Sequence, residues 1–346
     1  MPQREFSDKE LQYYSRQIVL KEIGLTGQSK LKNSRICVAG AGGLGSPILM
    51  QIASMGVGYI RIIDRDVVDI SNLQRQHLYG INVLGIPKVE AARNRLKELN
   101  PFIEVDPVPM PITPSNALSL INDVDIVIDA LDAMGPRYSL NRACQKLSIP
   151  FIYGGVIMQN GTTSTIVPGE TACLECFQGG IRDEALPSCA VQGVHPSIIN
   201  LIGSIQSSEA VKIVLGKEPV LKNKLLFADL TDLSLEIIQL SKNKDCPVCG
   251  SGTSLDNVDF SKWEEVCGRE GGRTFLYNPE MNKGLNLDEV KHKVRELGYK
   301  LVISSEMGIT FESKGNMGSI LVSGVAIFEG FTELEEAKKL KGQILD

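Results

Sequence analysis

The stretch that most narrows what this chain can become is Ile36–Gly45, ICVAGAGGLG: an apolar strand running into a glycine-rich turn, then into a helix starting near Leu44 and Ser46. Gly40, Gly42 and Gly45 satisfy G-x-G-x-x-G. In that pattern glycine permits a tight turn and lets backbone N–H groups approach a phosphate at the helix N-terminus. Such a turn can also be purely structural, so the end of the second strand is decisive. That strand, Tyr59–Ile63, runs into Asp64, where a doubly wound fold presents a carboxylate to ribose hydroxyls. Together they predict a nucleotide site in a Rossmann-like sheet.

From Arg35 onward, strand and helix patterns alternate. Strand Arg35–Ala39 leads to a helix ending near Met55, then strand Tyr59–Ile63. A helix opens with Pro87 at its first position and is stopped after Leu99 by Asn100-Pro101. Strand Val124–Ile128, a helix near Arg137–Leu147 and strand Pro150–Tyr153 come next. This alternation predicts an α/β fold: a doubly wound, mostly parallel sheet with helices on both faces. Gly161–Val167, Lys224–Asp229 and Ser234–Gln239 predict an antiparallel extension, interrupted by the apolar helix Pro196–Leu215. At the start, Ser7 and Glu10 form a capping-box pattern opening a helix with Leu11, Tyr14 and Ile18 on one face. Arg16 then points roughly the other way, to be solvated or offered to a partner subunit.

The expected organisation is a nucleotide-binding domain over 1–250, a linker over 251–257 within GSGTSLDN, and a small α+β domain over 258–346. The last is read as Arg273–Tyr277, a helix Leu287–Leu297, strands Lys300–Ser304, Gly308–Glu312 and Ser319–Phe328, and a helix Thr332–Ile344, with no nucleophile motif. A chain of 346 residues is long enough for two domains. Its net charge of −5 and lack of a Lys/Arg run argue against a nucleic-acid surface. MPQREFSDKE has no apolar signal region, and Pro196–Leu215 carries Gln206, Glu209 and Lys212, as a buried helix would rather than a membrane span. A cytoplasmic protein without nucleic-acid or membrane partners is expected. Eight cysteines are too sparse for a disulfide scaffold.

Four clusters carry chemistry. Asp64-Arg65-Asp66 and Ser71-Asn72-Leu73-Gln74-Arg75-Gln76 lie after the second strand, and Lys88 opens the next helix. A dehydrogenase reads only a ribose at this point. Arg75, Gln76 and Lys88 can instead neutralise a triphosphate and the charge that develops when its α-phosphorus is attacked; a polar surface loop is the alternative. Asp129-Ala130-Leu131-Asp132 ends the Val124–Ile128 strand, so that a carboxylate either holds magnesium on the phosphates or caps the next helix. Cys173-x-x-Cys176 and Cys246-x-x-Cys249 supply thiolates for one closed zinc site, preferred over redox dithiols because neither pair opens a helix in a thioredoxin-like context. Cys189, in Pro187-Ser188-Cys189, lies in a polar segment where a macromolecular substrate can reach it; it is either a nucleophile or a loop cysteine without chemistry, and no base for it is legible from spacing.

These residues, taken in order, resemble the ThiF/MoeB family: Tyr14-Ser15-Arg16-Gln17, GAGGLG at 40–45, Asp64-Arg65-Asp66, Asn72-Leu73-Gln74-Arg75-Gln76, Lys88, Asp132, the two cysteine pairs and Pro187-Ser188-Cys189. The resemblance covers about 7–250. These are adenylyltransferases that activate the C-terminal glycine of ubiquitin-like sulfur-carrier proteins, and relatives of the ubiquitin-activating enzymes. It implies that the partner's carboxylate attacks the α-phosphorus of ATP, giving an acyl-adenylate and pyrophosphate. Amides at Gly40, Gly42, Gly43 and Gly45 would cradle phosphate and Asp64 would hold the ribose, with Asp66, Asn72 and Gln76 in the same nucleotide-binding set. Asp132 would carry magnesium, and Arg75 and Lys88 would stabilise the transition state. Arg16 would reach a neighbouring subunit's ATP, implying a homodimer, and Cys173, Cys176, Cys246 and Cys249 would hold zinc. Cys189 matches the position that in some relatives forms a thioester or persulfide with the carrier.

The implied partner is a β-grasp protein ending in Gly-Gly, with a conjugating enzyme or sulfurtransferase as further partners the family allows. Two departures stand out. Leu131-Asp132-Ala133 replaces the family's common Thr-Asp-Asn, and the C-terminal region lacks a rhodanese-like loop. Adenylation of a peptide or other carboxylate, and a non-catalytic partner-subunit role, are the competing readings. For the C-terminal domain, partner recruitment stands beside substrate docking and dimer stabilisation.

Overall fold

The structure, a computed structural model, describes residues 6–183, 192–253, 258, 260–267, 273–313 and 315–345. Cys189 and most of the expected linker lie outside the described residues.

The first unit is built on β1 (Arg35–Ala39), β2 (Tyr59–Ile63), β3 (Glu104–Val108), β4 (Ile126–Asp129), β5 (Phe151–Ile157), β6 (Asn160–Ile166), β7 (Lys224–Asp229) and β8 (Ser234–Gln239). They form one eight-stranded sheet in the order β3-β2-β1-β4-β5-β6-β7-β8. The β3 to β5 half is parallel and the remaining pairings are antiparallel, as the alternation predicts. Successive strand residues feed opposite cores, because side chains alternate across a sheet. Ile36, Val38, Ile60, Ile62, Ile126, Ile128 and Ile152 enter one cluster; Cys37, Ala39, Tyr59, Ile63, Val127, Phe151 and Tyr153 enter the other. A sheet buried on both faces explains why these strands read as continuous apolar runs.

Helices α1 (Asp8–Tyr13), α2 (Ser15–Ile18), α3 (Gly24–Asn33), α4 (Gly45–Ser54), α5 (Lys88–Leu99), α6 (Ala117–Ile121), α7 (Met134–Leu147), α8 (Leu174–Gln178) and α9 (Pro196–Leu215) cover these faces. The Ser7–Glu10 capping box is present, but the helix it opens breaks at Tyr14. The Tyr14 ring is buried against Gly56 and its hydroxyl accepts a hydrogen bond from the Asn100 side chain; with the helix broken there, Leu11 and Ile18 do not share one continuous face. Pro87 is the N-cap of α5 rather than its first residue. Within α9, Glu209 is buried, holding Lys212 and accepting from the amides of Val220 and Leu221.

The second unit comprises β9 (Trp263–Cys267), β10 (Arg273–Tyr277), α10 (Leu287–Glu296), β11 (Lys300–Ser304), β12 (Gly308–Ser313), β13 (Asn316–Leu321), β14 (Ala326–Phe331) and α11 (Leu334–Leu345). Its six strands make a wholly antiparallel sheet in the order β11-β12-β13-β14-β10-β9. The expected strand Ser319–Phe328 is in fact a hairpin, turned at Gly324 with φ +92°.

Candidate active site

Sheet register assembles the site. Ala39 pairs with Ile63 on one side and Asp129 on the other, so the carboxyl ends of β1, β2 and β4 finish side by side. This is the crevice where strand order reverses in an open α/β sheet. The glycines divide their work. A Cβ on Gly40 would lie 2.5 Å from the Ala130 carbonyl oxygen, and one on Gly45 would lie 2.1 Å from that of Gly40; both are required by the turn itself. Gly42 faces open space bordered only by the Gln76 amide, 3.6 Å away, and Gly43 packs on Ile199 of α9. Gly42 and the start of α4 therefore form the open cradle a phosphate needs.

Asp64 fixes this loop. Its carboxylate accepts from the Ala41 amide at 2.7 Å and the Asp66 amide at 2.8 Å, and burial raises its pKa. Lys88 is buried, with Nζ 2.9 Å from the Asp66 carboxylate. Burial works against the ammonium, but Asp66 and Asp64 overcome it and hold its pKa up. Burial would likewise raise Asp66, yet Lys88 and Arg65 outweigh it and hold its carboxyl down. Asp132 is exposed in the loop between β4 and α7, and its charge reaches Lys88, Arg65 and Arg137. Gln76 is buried, its side-chain oxygen without a partner among the described residues. Arg75 donates to the Ser71 carbonyl at 2.8 Å, and Asn72 lies in the short turn beside it. Arg16 is exposed on α2, and its side chain makes no hydrogen bond or ion pair among the described residues.

Four supporting residues carry no signal in the sequence. Arg137 is buried, pairs with buried Asp129 at 3.0 Å, and donates to the carbonyls of Leu131 and Gly154. It thereby holds the loop carrying Asp132. Burial pushes the Asp129 carboxyl up to about 6 against the pull of Arg137. Gln206 of α9 donates to the Asp129 carbonyl, and the Tyr79 hydroxyl donates to that of Ala41. Asp183 accepts from the Met134 and Gly135 amides at the start of α7. A polar residue inside a helix or loop is ordinarily solvated, and nothing in the spacing marks these as exceptions.

The two cysteine pairs meet. The Sγ atoms of Cys173, Cys176, Cys246 and Cys249 lie within 4.8 Å of one another, at 3.6 Å for Cys173–Cys246 and 3.3 Å for Cys176–Cys249. A tetrahedron with Zn–S bonds of about 2.3 Å has edges of about 3.8 Å. The donor set therefore fits a structural zinc ion, which would tie α8 to the segment after β8.

Comparison with known proteins agrees with this geometry. The ThiF family model matches residues 14–248. The chain belongs to the ThiF family. It is 38% identical over 259 residues to the SAMP-activating enzyme E1 of Haloferax volcanii, covering 75% of this chain and 95% of that one. It is 36% identical over 270 residues to the sulfur carrier protein adenylyltransferase of Thermus thermophilus, covering 76% and 98%. The crystal structure of E. coli MccB with ATP superposes with a TM-score of 0.62 at 24% identity, over 69% of this chain and 75% of that one. That last likeness speaks to the fold of this ThiF-family chain.

Proposed function

We propose that the carboxylate this adenylyltransferase activates is the C-terminal glycine of a ubiquitin-like or sulfur-carrier β-grasp protein ending in Gly-Gly. The observation that carries the reading is the convergence of the Gly42 cradle, Asp64, Lys88 and Asp132 in one crevice. The relatives are named as a SAMP-activating enzyme and a sulfur carrier protein adenylyltransferase, which supports a carrier protein as the substrate.

In this account ATP lies with its phosphates over the open face at Gly42 and its ribose towards Asp64. The carrier's carboxylate attacks the α-phosphorus in line with the departing pyrophosphate. Charge growing on the phosphoryl oxygens meets Lys88, which the surrounding carboxylates keep protonated, and Arg75, once its side chain leaves the Ser71 carbonyl. Fixed charges in a partly dry site stabilise such a transition state without reorganising. Asp132 is the residue that would hold magnesium on the triphosphate, where the ion would offset phosphate charge. The second-site arginine fits a homodimer: Arg16 is exposed beside Val19, Leu20 and Leu25, three exposed apolar side chains that a partner subunit would cover. A covalent step at Cys189, in which its thiolate displaces AMP from the carrier's adenylate, extends the same reading.

The test is magnesium-dependent ATP–pyrophosphate exchange with the purified chain. Exchange that requires a carrier with an intact Gly-Gly end supports the reading. Exchange driven instead by short peptides moves the substrate to the peptide class, and a thiol-sensitive carrier adduct lost in Cys189→Ser supports the covalent step.

A further inference from the structure

Residues 64–90, which carry Asp64, Asp66, Asn72, Arg75, Gln76 and Lys88, contain no helix longer than two three-residue turns before α5 begins. Within this crossover the backbone hydrogen bonds of 69–84 each span three or four residues, so they shape single turns and leave its placement to longer-range contacts. It is closed at a neck. Val68 donates to the Ile86 carbonyl, Gly85 to that of Val68, and Lys88 to that of Asp66, while the Lys88 ammonium holds the Asp66 carboxylate. The loop beyond the neck, 69–84, carries Asn72, Arg75 and Gln76.

The second sheet grips both sides of this neck. On the incoming side, Arg65 makes a fork on Glu264 at 2.7 and 2.8 Å and donates to the Asn278 side chain at 2.9 Å. Asn278 is fully buried and itself donates to Glu264, so the acceptor pair is pre-set before Arg65 arrives. Val67 packs on Leu276, Leu321, Val325 and Ile327. On the outgoing side, the Thr310 hydroxyl donates to the Gly85 carbonyl at 2.8 Å, and a Cβ on Gly308 would meet Pro87 at 2.8 Å. One turn further on, Glu90 accepts from the amides of residues 306 and 307. Arg65 stands in sequence between Asp64 and Asp66, the two carboxylates of the proposed nucleotide site, so the fork on Glu264 anchors the backbone that carries both.

We infer that the C-terminal sheet is a brace for the nucleotide-binding crossover, with Glu264, Asn278 and Thr310 as positioning residues for ATP. The inference rests on the nucleotide reading above and gives the C-terminal unit a task in the first half-reaction, independent of carrier identity. It follows that docking of the sheet and ATP occupancy are linked, and that each strengthens the other.

The test measures direct binding of ATP with magnesium to the full-length chain by calorimetry, without any carrier. Glu264→Ala is expected to weaken ATP binding about two- to thirtyfold, the range for substitutions that act through a coupled element. Its melting transition should remain cooperative. Glu264→Gln, which keeps the acceptor but not the charge, should fall between it and wild type. Thr310→Val tests the other side of the neck and carries the experiment should Glu264→Ala not fold. Glu265→Ala breaks the exposed Glu265–Arg273 pair one residue along β9 and should leave ATP binding unchanged. Hydrogen exchange over 69–84 should quicken in Glu264→Ala, and ATP should slow exchange at 305–310 in wild type. Wild-type affinity in Glu264→Ala and Thr310→Val overturns the brace while the nucleotide reading stands. Failure of wild type itself to bind ATP overturns the nucleotide reading and the brace with it.

Discussion

Replacing Cys246 by serine removes one corner of a proposed zinc site whose four candidate ligands come from two segments 73 residues apart. The consequence can be scaled by treating zinc as a cross-link. Closing a loop of that length removes about 15 cal/mol/K of chain entropy from the unfolded state, or about 4 kcal/mol at room temperature. An unfolding entropy near 2 cal/mol/K per residue over the whole chain turns that into a fall of about 6 °C in melting temperature. The loss concentrates around α8 and the 246–249 knuckle, because Cys173, Cys246 and Leu174 belong to the core on that side of the sheet. Metal analysis should find one zinc per wild-type chain, and a chelator strong enough to strip it should lower the wild-type transition by the same amount while leaving Cys246→Ser unmoved. Cobalt should enter the emptied wild-type site with the absorption of a tetrahedral thiolate centre. A metal-free wild-type protein whose transition ignores both zinc and chelator would refute this reasoning.

The proposed nucleotide site makes its own demands. Asp132→Ala should abolish carrier-dependent pyrophosphate exchange while leaving thermal stability nearly unchanged, since Asp132 is exposed; retained exchange would remove it from the mechanism. The folded chain holds the Asp129 proton more tightly than the unfolded one, with its pKa up to about 6 from 3.8. The stability tied to that proton is complete below about pH 4 and is lost as pH rises through 6, by about 3 kcal/mol. Melting curves of wild type and Asp129→Asn should therefore diverge across that window, wild type falling relative to the variant, and parallel curves would contradict the assignment. Gly45→Ala forces a methyl into the Gly40 carbonyl, so ATP binding should be lost together with at least ~1 kcal/mol of stability. Zinc content should be unaffected in Cys189→Ser, whose thiol is not among the four ligands.

Much of this molecule is legible in its sequence because its interior strands obey simple rules. Arg35–Ala39 and Tyr59–Ile63 are apolar runs ended by a glycine and an aspartate, and both boundaries are as the sequence implies. The two strands that local pattern does not reveal are both at sheet edges. Glu104–Val108 contains Asp106 and Pro107, and Trp263–Cys267 contains Glu264 and Glu265; an edge strand tolerates charge and proline that an inner one does not. The Ser319–Phe328 run conceals its turn because Ser323-Gly324 is flanked by valines on both sides, so apolarity outweighs a legitimate turn signal. At the site, residues on strand ends can be found from local pattern. Arg65, Arg137 and Gln206 cannot be assigned their contacts that way. Their partners can lie far away in sequence: 199 residues from Arg65 to Glu264 and 77 from Gln206 to Asp129. Long-range polar contacts have no local periodicity to betray them.

The most direct measurement of the central claim tracks the label from ATP. With purified chain, magnesium and a β-grasp carrier ending in Gly-Gly, ATP labelled at the α-phosphate should leave label on the carrier's C-terminus, and ATP labelled at the γ-phosphate should not. Removing the carrier's last glycine should abolish the transfer. Label arriving from the γ-phosphate, or no transfer to any Gly-Gly carrier by a chain that binds ATP, would contradict carboxylate adenylation as the work of this site.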